Sequence, residues 1–121
     1  QKIGTNVASF VGHGAIRSAV RGMSDAAPTA EQLEKMKRLV RQGMNDGAIG
    51  LSTGLYYAPG SYAKTEEVIE LAKVAAEYGG VYDTHQRDES SYTIGLLGSI
   101  QEVLRIGREA KIPVHFSHIK A

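Results

Sequence analysis

The sequence predicts an α/β fold with four short parallel strands and intervening helices, forming an arc of a (β/α)8 barrel of the TIM type. Apolar runs alternate with amphipathic segments, and right-handed crossovers make consecutive strands of this kind parallel. The strand segments are continuously apolar, which is typical of parallel strands covered by helices. Polar side chains follow the predicted strands, at His13, Ser52, His85 with Arg87, and His118. The strands of a barrel all end at one mouth, whereas an open sheet concentrates its site at one switch point, so the barrel arc is favoured over the open sheet.

Length and composition limit the possible classes of function. We interpret residues 1–121, of which 42% are hydrophobic, as one partial barrel domain cut from a longer chain. The 14 basic residues are interleaved with 13 acidic ones, which excludes the basic stripe of a nucleic-acid-binding protein. The apolar runs are too short to cross a membrane, and the lack of cysteine excludes disulfides and favours the cytoplasm. The unpaired edges of an arc predict self-association.

The first strand is predicted over residues 5–11, ending in the turn Gly12-His13-Gly14. Glycines permit a tight turn, and such a turn can also bind an anion at the N-terminus of the next helix. No complete phosphate-binding pattern is present, so a structural turn is favoured. A short helix or an irregular segment follows over residues 15–22.

The second helix is predicted to begin after Thr29, which forms a capping box with Gln32. Its apolar residues recur at helical spacing, and it ends at Asn45-Asp46-Gly47. The second strand is predicted over residues 48–52, and it leads into the polar turn Ser52-Thr53-Gly54.

The loop over residues 55–62 carries three tyrosines, Tyr56, Tyr57 and Tyr62. A tyrosine combines a flat apolar ring with a hydroxyl group, so these side chains either line a pocket or pack the loop against the protein. Both interpretations remain open. The third helix is predicted to begin at Thr65, with two glutamates in its first turn, where the helix dipole favours acidic groups.

Five polar residues follow the third predicted strand, residues 81–84, in the run His85-Gln86-Arg87-Asp88-Glu89. A turn does not require so many, and the C-terminal end of a strand is where β/α proteins carry their chemistry. Ser90 or Ser91 is predicted to cap the last helix.

The last predicted strand, residues 113–120, brings His118 to its C-terminal end. This histidine is either a structural, hydrogen-bonded residue or a ligand. Because side chains alternate across a strand, Phe116 and His118 are predicted to share one face, and His115 to point towards the helices.

Four segments resemble, in the same order, the N-acyl-D-amino-acid deacylases (D-aminoacylases) of the amidohydrolase superfamily: GHGAIR, GAIGLSTGLYYAPGSYAKTEE, GGVYDTHQRDE and PVHFSHIK. The resemblance covers nearly the whole chain and implies a partial amidohydrolase barrel domain. It further implies hydrolysis of the amide of a small N-acyl-D-amino acid, with Zn2+ activating a water molecule.

The resemblance assigns residues one by one. His118 matches the histidine of the S-H-x-K motif, a metal ligand in that family, and His85 and Arg87 match the T-H-x-R block beside the substrate pocket. Arg87 either binds the substrate carboxylate or forms a salt bridge with Asp88, Glu89 or a neighbouring strand. Where many relatives carry two adjacent histidines, this chain has His118-Ile119. The other ligands and the proton-transferring acid have no counterpart, so we expect no catalytic residue in this segment and no activity from it alone.

Two alternatives remain. One is a different amidohydrolase, such as a dihydroorotase-like cyclic amidase. The other is a non-catalytic α/β module that binds an anion on the turns at residues 12–14 and 52–54.

Overall fold

The computed structural model describes residues 4–119. Lys120, the last residue of the PVHFSHIK segment, lies outside the described residues. The described elements, in chain order, are β1 (Val11–Gly12), α1 (His13–Arg21), α2 (Ala30–Asn45), β2 (Gly50–Gly54), a short 3₁₀ helix (Gly60–Tyr62), α3 (Thr65–Glu77), β3 (Val81–His85), α4 (Gly95–Ala110) and β4 (Val114–Phe116).

The four strands form one parallel sheet in the order β1-β2-β3-β4. Each strand is followed by helical structure before the next strand begins, as right-handed crossovers require. The predicted fold class, α/β with four parallel strands and intervening helices, is confirmed. No helix in residues 4–119 combines the length and the apolar character needed to cross a membrane.

The two faces of the sheet differ in chemical character. Leu51 and Tyr82, which pair across β2 and β3, are fully buried in a core that the four helices share. The opposite face carries Ser52, Asp83 and His115, which are partly or largely exposed. The helices therefore cover one face and leave the other face, which is polar, open.

The core consists of apolar side chains from one side of each helix and from the covered face of the sheet. Its fully buried members include Met36, Val40, Leu51, Leu55, Val68, Leu71, Ala72, Ala75, Tyr82 and Ile106. Burial raises the pKa of the Tyr82 hydroxyl to about 12, and that hydroxyl is hydrogen-bonded to Thr53 Oγ1 at 2.8 Å. The Tyr82 hydroxyl is thus hydrogen-bonded and neutral within this layer.

The predicted capping box at the start of α2 is confirmed. The Gln32 N–H donates to Thr29 Oγ1 at 3.2 Å, and the Thr29 N–H donates to Gln32 Oε1 at 3.0 Å. Two N–H groups that no helical carbonyl could reach are satisfied in this way. The predicted end of this helix and the predicted start of α3 at Thr65 also agree with the structure.

The first strand is present but much shorter than predicted, and the predicted turn after it is wrong. β1 contains only Val11 and Gly12, and His13 is the first residue of α1 rather than the centre of a turn. Residues 5–9 are exposed, whereas the His13 side chain is completely buried. His13 pairs with Glu67 of α3, and this distant contact accompanies the start of α1 at His13. No local sequence pattern indicates such a contact.

β2 begins and ends two residues later than predicted, so residues 52–54 belong to the strand and pair with β3. Ser52 therefore lies inside the strand, not at its end. The alternative of an anion-binding module required turns at residues 12–14 and 52–54. Neither turn is present, since the first segment contains the start of α1 and the second is part of β2.

The predicted cap of the last helix is also wrong. α4 begins at Gly95, and neither Ser90 nor Ser91 caps it. Instead the Asp88 carboxylate accepts hydrogen bonds from the N–H groups of Ser90, Thr93 and Gly95, which keeps residues 88–94 in a loop. These backbone donors, Thr93 first, hold the pKa of Asp88 below its usual value.

The strand that precedes His118 is shorter than predicted. β4 ends at Phe116, and His118 adopts a positive φ of 35° in the turn that follows. Val114 and Phe116 pack against the core, so His115 faces the open side of the sheet. The prediction that His115 points towards the helices is therefore wrong, because alternation cannot be counted through a turn.

Candidate metal centre

Two histidines meet where adjacent strands end. His85 is the last residue of β3, and His118 lies two residues beyond the end of β4. Because β3 and β4 are parallel neighbours, their C-terminal ends open at the same edge of the sheet. His85 Nδ1 lies 2.9 Å from His118 Nε2, and the ring centroids are 4.6 Å apart. The structure thus brings together two of the three residues that the sequence predicts for the site.

A carboxylate completes this group. Glu89 Oε1 lies 3.3 Å from His118 Nδ1 and 3.8 Å from His85 Nδ1. The side chains of His85 and Glu89 are 16% and 17% exposed, and that of His118 is 50% exposed. One potential ligand atom from each of the three residues lies within 4.8 Å of the others. We call these three side chains the open cluster.

The donor set of the open cluster fits a transition metal. Imidazole nitrogen and carboxylate oxygen are ligands that zinc accepts, and catalytic zinc sites often have three protein ligands plus one open position. The exposed fraction of His118 leaves a path for a small molecule to enter. The sequence places Glu89 in a polar run without identifying it as a candidate ligand. Its position in the site depends on His118, which lies 29 residues further along the chain.

An aromatic wall borders the open cluster. Tyr57 stacks on the His85 ring, with a centroid distance of 5.1 Å and an interplanar angle of 29°. Tyr56 meets His85 edge-on at 6.0 Å and Tyr92 at 6.5 Å. Together with Glu89 these side chains line a cleft of about 250 Å³. Tyr56 and Tyr57 therefore line a pocket, which resolves the question that the sequence left open, whereas Tyr62 lines a different cavity.

Arg87 is held by contacts inside the protein. Its Nε and Nη2 donate to the two carboxylate oxygens of Glu102 in α4, at 2.9 and 2.8 Å. Its Nη1 and Nη2 also donate to the carbonyls of Ser61 and Ala63, at 3.0 and 2.9 Å. The salt bridge is therefore with a helix, not with Asp88 or with the neighbouring strands. Arg87 ties the tyrosine loop and α4 to the end of β3, and its contact with substrate stays a prediction.

His13 belongs to a second polar group, which it forms with Arg17 and Glu67. His13 Nε2 is 2.8 Å from Glu67 Oε1, and Arg17 Nη1 donates to Glu67 Oε2. Arg17 Nη2 also donates to the carbonyls of Ser24 and Ala26. All three side chains of this His13–Arg17–Glu67 network are buried between α1 and α3.

The carboxylate of this network is stabilised in its charged form. Burial alone would raise the pKa of Glu67, but hydrogen bonds from His13 and Arg17 outweigh burial and leave the pKa below its usual value. Glu67 was predicted only as an acidic residue in the first turn of a helix. Its partners lie 50 and 54 residues earlier in the chain, so sequence spacing gives no sign of them.

Comparisons with known proteins identify similar enzymes. No protein-family model matches the chain. The chain is 42% identical over 115 residues to a D-aminoacylase of Alcaligenes xylosoxydans xylosoxydans, and 37% identical over 116 residues to an N-acyl-D-aspartate deacylase of the same organism. Each match covers 95% of this chain but only 23% of the relative, so the chain spans about a quarter of their length.

Solved structures give the same result. A crystal structure of a D-aminoacylase, described as defining a novel subset of amidohydrolases, matches 95% of this chain at 41% identity with a TM-score of 0.89. Another D-aminoacylase structure, at 40% identity and the same TM-score, concerns the functional role of a binuclear metal centre. A zinc and phosphonate complex of an N-acyl-D-glutamate deacylase from Bordetella bronchiseptica matches at 38% identity with a TM-score of 0.84. The chain covers 22–24% of these structures. The resemblance inferred from the motifs is confirmed.

Proposed function

We propose that this chain is part of a metal-dependent hydrolase that removes the acyl group from small N-acyl-D-amino acids, with zinc as its metal. The observation that carries the proposal is the convergence of His85, Glu89 and His118 at the ends of two adjacent parallel strands. The similar proteins support the substrate class, because they are named as deacylases of N-acyl-D-amino acids. The zinc complex of one of them supports the choice of metal.

Within this site, His118 is the principal metal ligand, and Glu89 and His85 supply the other two candidate donor atoms. A bound zinc ion would act as a Lewis acid and would activate water for attack on the amide. The ligand set is completed by residues outside this chain, as is the acid that transfers the proton. Four parallel strands with one open polar face are consistent with an arc of a closed barrel whose mouth holds this site.

The substrate lies beside the aromatic wall. Tyr57 and Tyr56 present flat, half-exposed rings next to His85, where they exclude water from one side of the cleft. His85 contacts the substrate or the metal at this point. The predicted contact of Arg87 with a substrate carboxylate requires that carboxylate to compete with Glu102 for the guanidinium. The cytoplasmic location and the self-association of the isolated segment remain predictions from the sequence.

The experiment uses the complete protein that carries this chain. We expect it to release free amino acid from N-acetyl-D-amino acids but not from their L-enantiomers, and to lose this activity when zinc is chelated. The variant His118→Ala should lose both activity and bound zinc. Hydrolysis of a cyclic amide, with no release from N-acetyl-D-amino acids, would instead favour the dihydroorotase-like alternative.

A further inference from the structure

We propose that Asp83 is a positioning residue that fixes the metal ligand His118 through Ser117. The inference rests on the role of His118 in the proposed function. Asp83 itself is not a member of the open cluster. It lies in β3 on the open face of the sheet, directly opposite His115 of β4.

Ser117 is held at two points just before the ligand. Its hydroxyl lies 2.9 Å from each carboxylate oxygen of Asp83, and its N–H donates to the carbonyl of Thr84 at 3.0 Å. Both anchors belong to β3, the strand that also carries His85. The segment that leads to His118 is therefore tied to the strand that carries another member of the open cluster.

The backbone of His118 needs such an anchor. Its φ of 35° lies in the left-handed region, which residues with a Cβ adopt uncommonly and which surrounding contacts stabilise. The β-ladder gives no support at this point, because β4 ends at Phe116. On the N-terminal side of His118, the hydrogen bonds of Ser117 to Asp83 and Thr84 constrain the backbone. On the other side, the ring of His118 meets His85 and Glu89.

The arrangement of these groups excludes a nucleophilic role for Ser117. Asp83, His115 and Ser117 resemble a catalytic triad in composition, but the serine hydroxyl donates to the carboxylate and not to the imidazole. His115 Nδ1 lies 2.5 Å from Oδ1 of the same Asp83 carboxylate, so His115 and Ser117 each contact Asp83 separately. A nucleophile must contact its general base. Asp83 therefore holds the turn through Ser117 and does not form a nucleophilic triad with Ser117 and His115.

The test measures the zinc dissociation constant of the complete protein by competition with a chelator. Ser117→Ala and Asp83→Ala should each weaken zinc binding by roughly 10–100-fold, the usual effect of removing a group that orients a ligand. Asp83 and Ser117 act through the same hydrogen bond. The double variant should therefore bind zinc no more weakly than whichever single variant has the lower zinc affinity. His115→Ala is the matched control, since it removes the other partner of Asp83 and should leave zinc affinity unchanged.

Further variants distinguish the possible failures. Asp83→Asn keeps an acceptor oxygen for Ser117 and should retain more zinc affinity than Asp83→Ala, even if the alanine variant folds poorly. Two results would overturn the positioning role while leaving the proposed function intact. One is an unchanged zinc affinity in Ser117→Ala, and the other is a fold-loss of zinc affinity in the double variant equal to the product of the two single losses. Unchanged zinc affinity in His118→Ala would instead refute the metal assignment on which both proposals rest.

Discussion

The two histidine–glutamate groups of this protein occupy opposite environments. In the His13–Arg17–Glu67 network the side chains are at most 5% exposed, and the carboxylate is shared between a histidine and an arginine. In the open cluster the side chains are 16–50% exposed, and potential ligand atoms converge on one another. Residue type alone does not separate a structural group from a chemical one. Burial and the direction in which the donor atoms point do separate them.

The physical reason is the cost of exchanging partners. A buried carboxylate that loses its partners keeps its desolvation cost, so the buried network cannot open for a ligand. In the open cluster the His118 side chain is half-exposed, so its contact with the His85 ring at 2.9 Å can be exchanged for a cation at a smaller cost in solvation. The first group therefore holds α1 to α3, and the second is suited to binding a metal.

The largest expected effect comes from removing the glutamate of each group. Glu67→Ala leaves His13 and Arg17 without their buried counter-group and should lower the free energy of unfolding by about 3–5 kcal/mol. Glu89→Ala, measured in the metal-free protein, should cost about 1 kcal/mol or less. Chemical denaturation of both variants tests the difference. Equal losses of stability would remove the distinction between the two groups.

A smaller effect concerns the pH dependence of stability. The pKa of Glu67 in the folded protein lies below its usual value of 4.5, so its ionised form stabilises the fold at pH values above that value. This stabilisation is lost as the pH falls through the folded-state pKa. The difference in unfolding free energy between wild type and Glu67→Gln should therefore narrow as the pH is lowered below about 4.5. A difference that stays constant with pH would contradict the role of the Glu67 charge.

The smallest expected effect lies in the aromatic wall. Tyr57→Leu removes the ring stacked on His85, and an aromatic contact of this kind contributes about 0.5–1.5 kcal/mol. If the complete protein has the proposed activity, this loss should raise its KM roughly 2–10-fold, with little change in bound zinc. Tyr57→Phe keeps the ring and is the control. If both variants raised KM equally, the hydroxyl group and not the stacking would be responsible.

The parts of the fold that depend on local chemistry were predictable from the sequence. The capping box of Thr29 and Gln32, the start of α3 and the third strand each depend on residues a few positions apart. The parallel sheet followed from the alternation of elements. His85 and His118 could be placed at neighbouring strand ends for the same reason, because parallel strands end at one edge.

The errors arise where a distant contact overrides the local pattern. His13 stands between two glycines and resembles a turn residue in sequence, but it is the first residue of α1, where it contacts Glu67. Ser90 and Ser91 resemble caps, but three backbone hydrogen bonds to Asp88 delay the helix. Alternation along the last strand placed His115 on the wrong face because β4 ends before His118. Glu89 could not be identified as a candidate ligand without the position of that turn.

The most direct test of the metal centre is anomalous diffraction at the zinc edge from crystals of the complete, zinc-loaded protein. We expect a zinc ion bonded to His118 together with Glu89 or His85, at distances of about 2.0–2.2 Å. The tyrosine cleft should open directly onto that ion. A zinc peak elsewhere in the protein, with no metal bound to His85, Glu89 or His118, would contradict the assignment of this site.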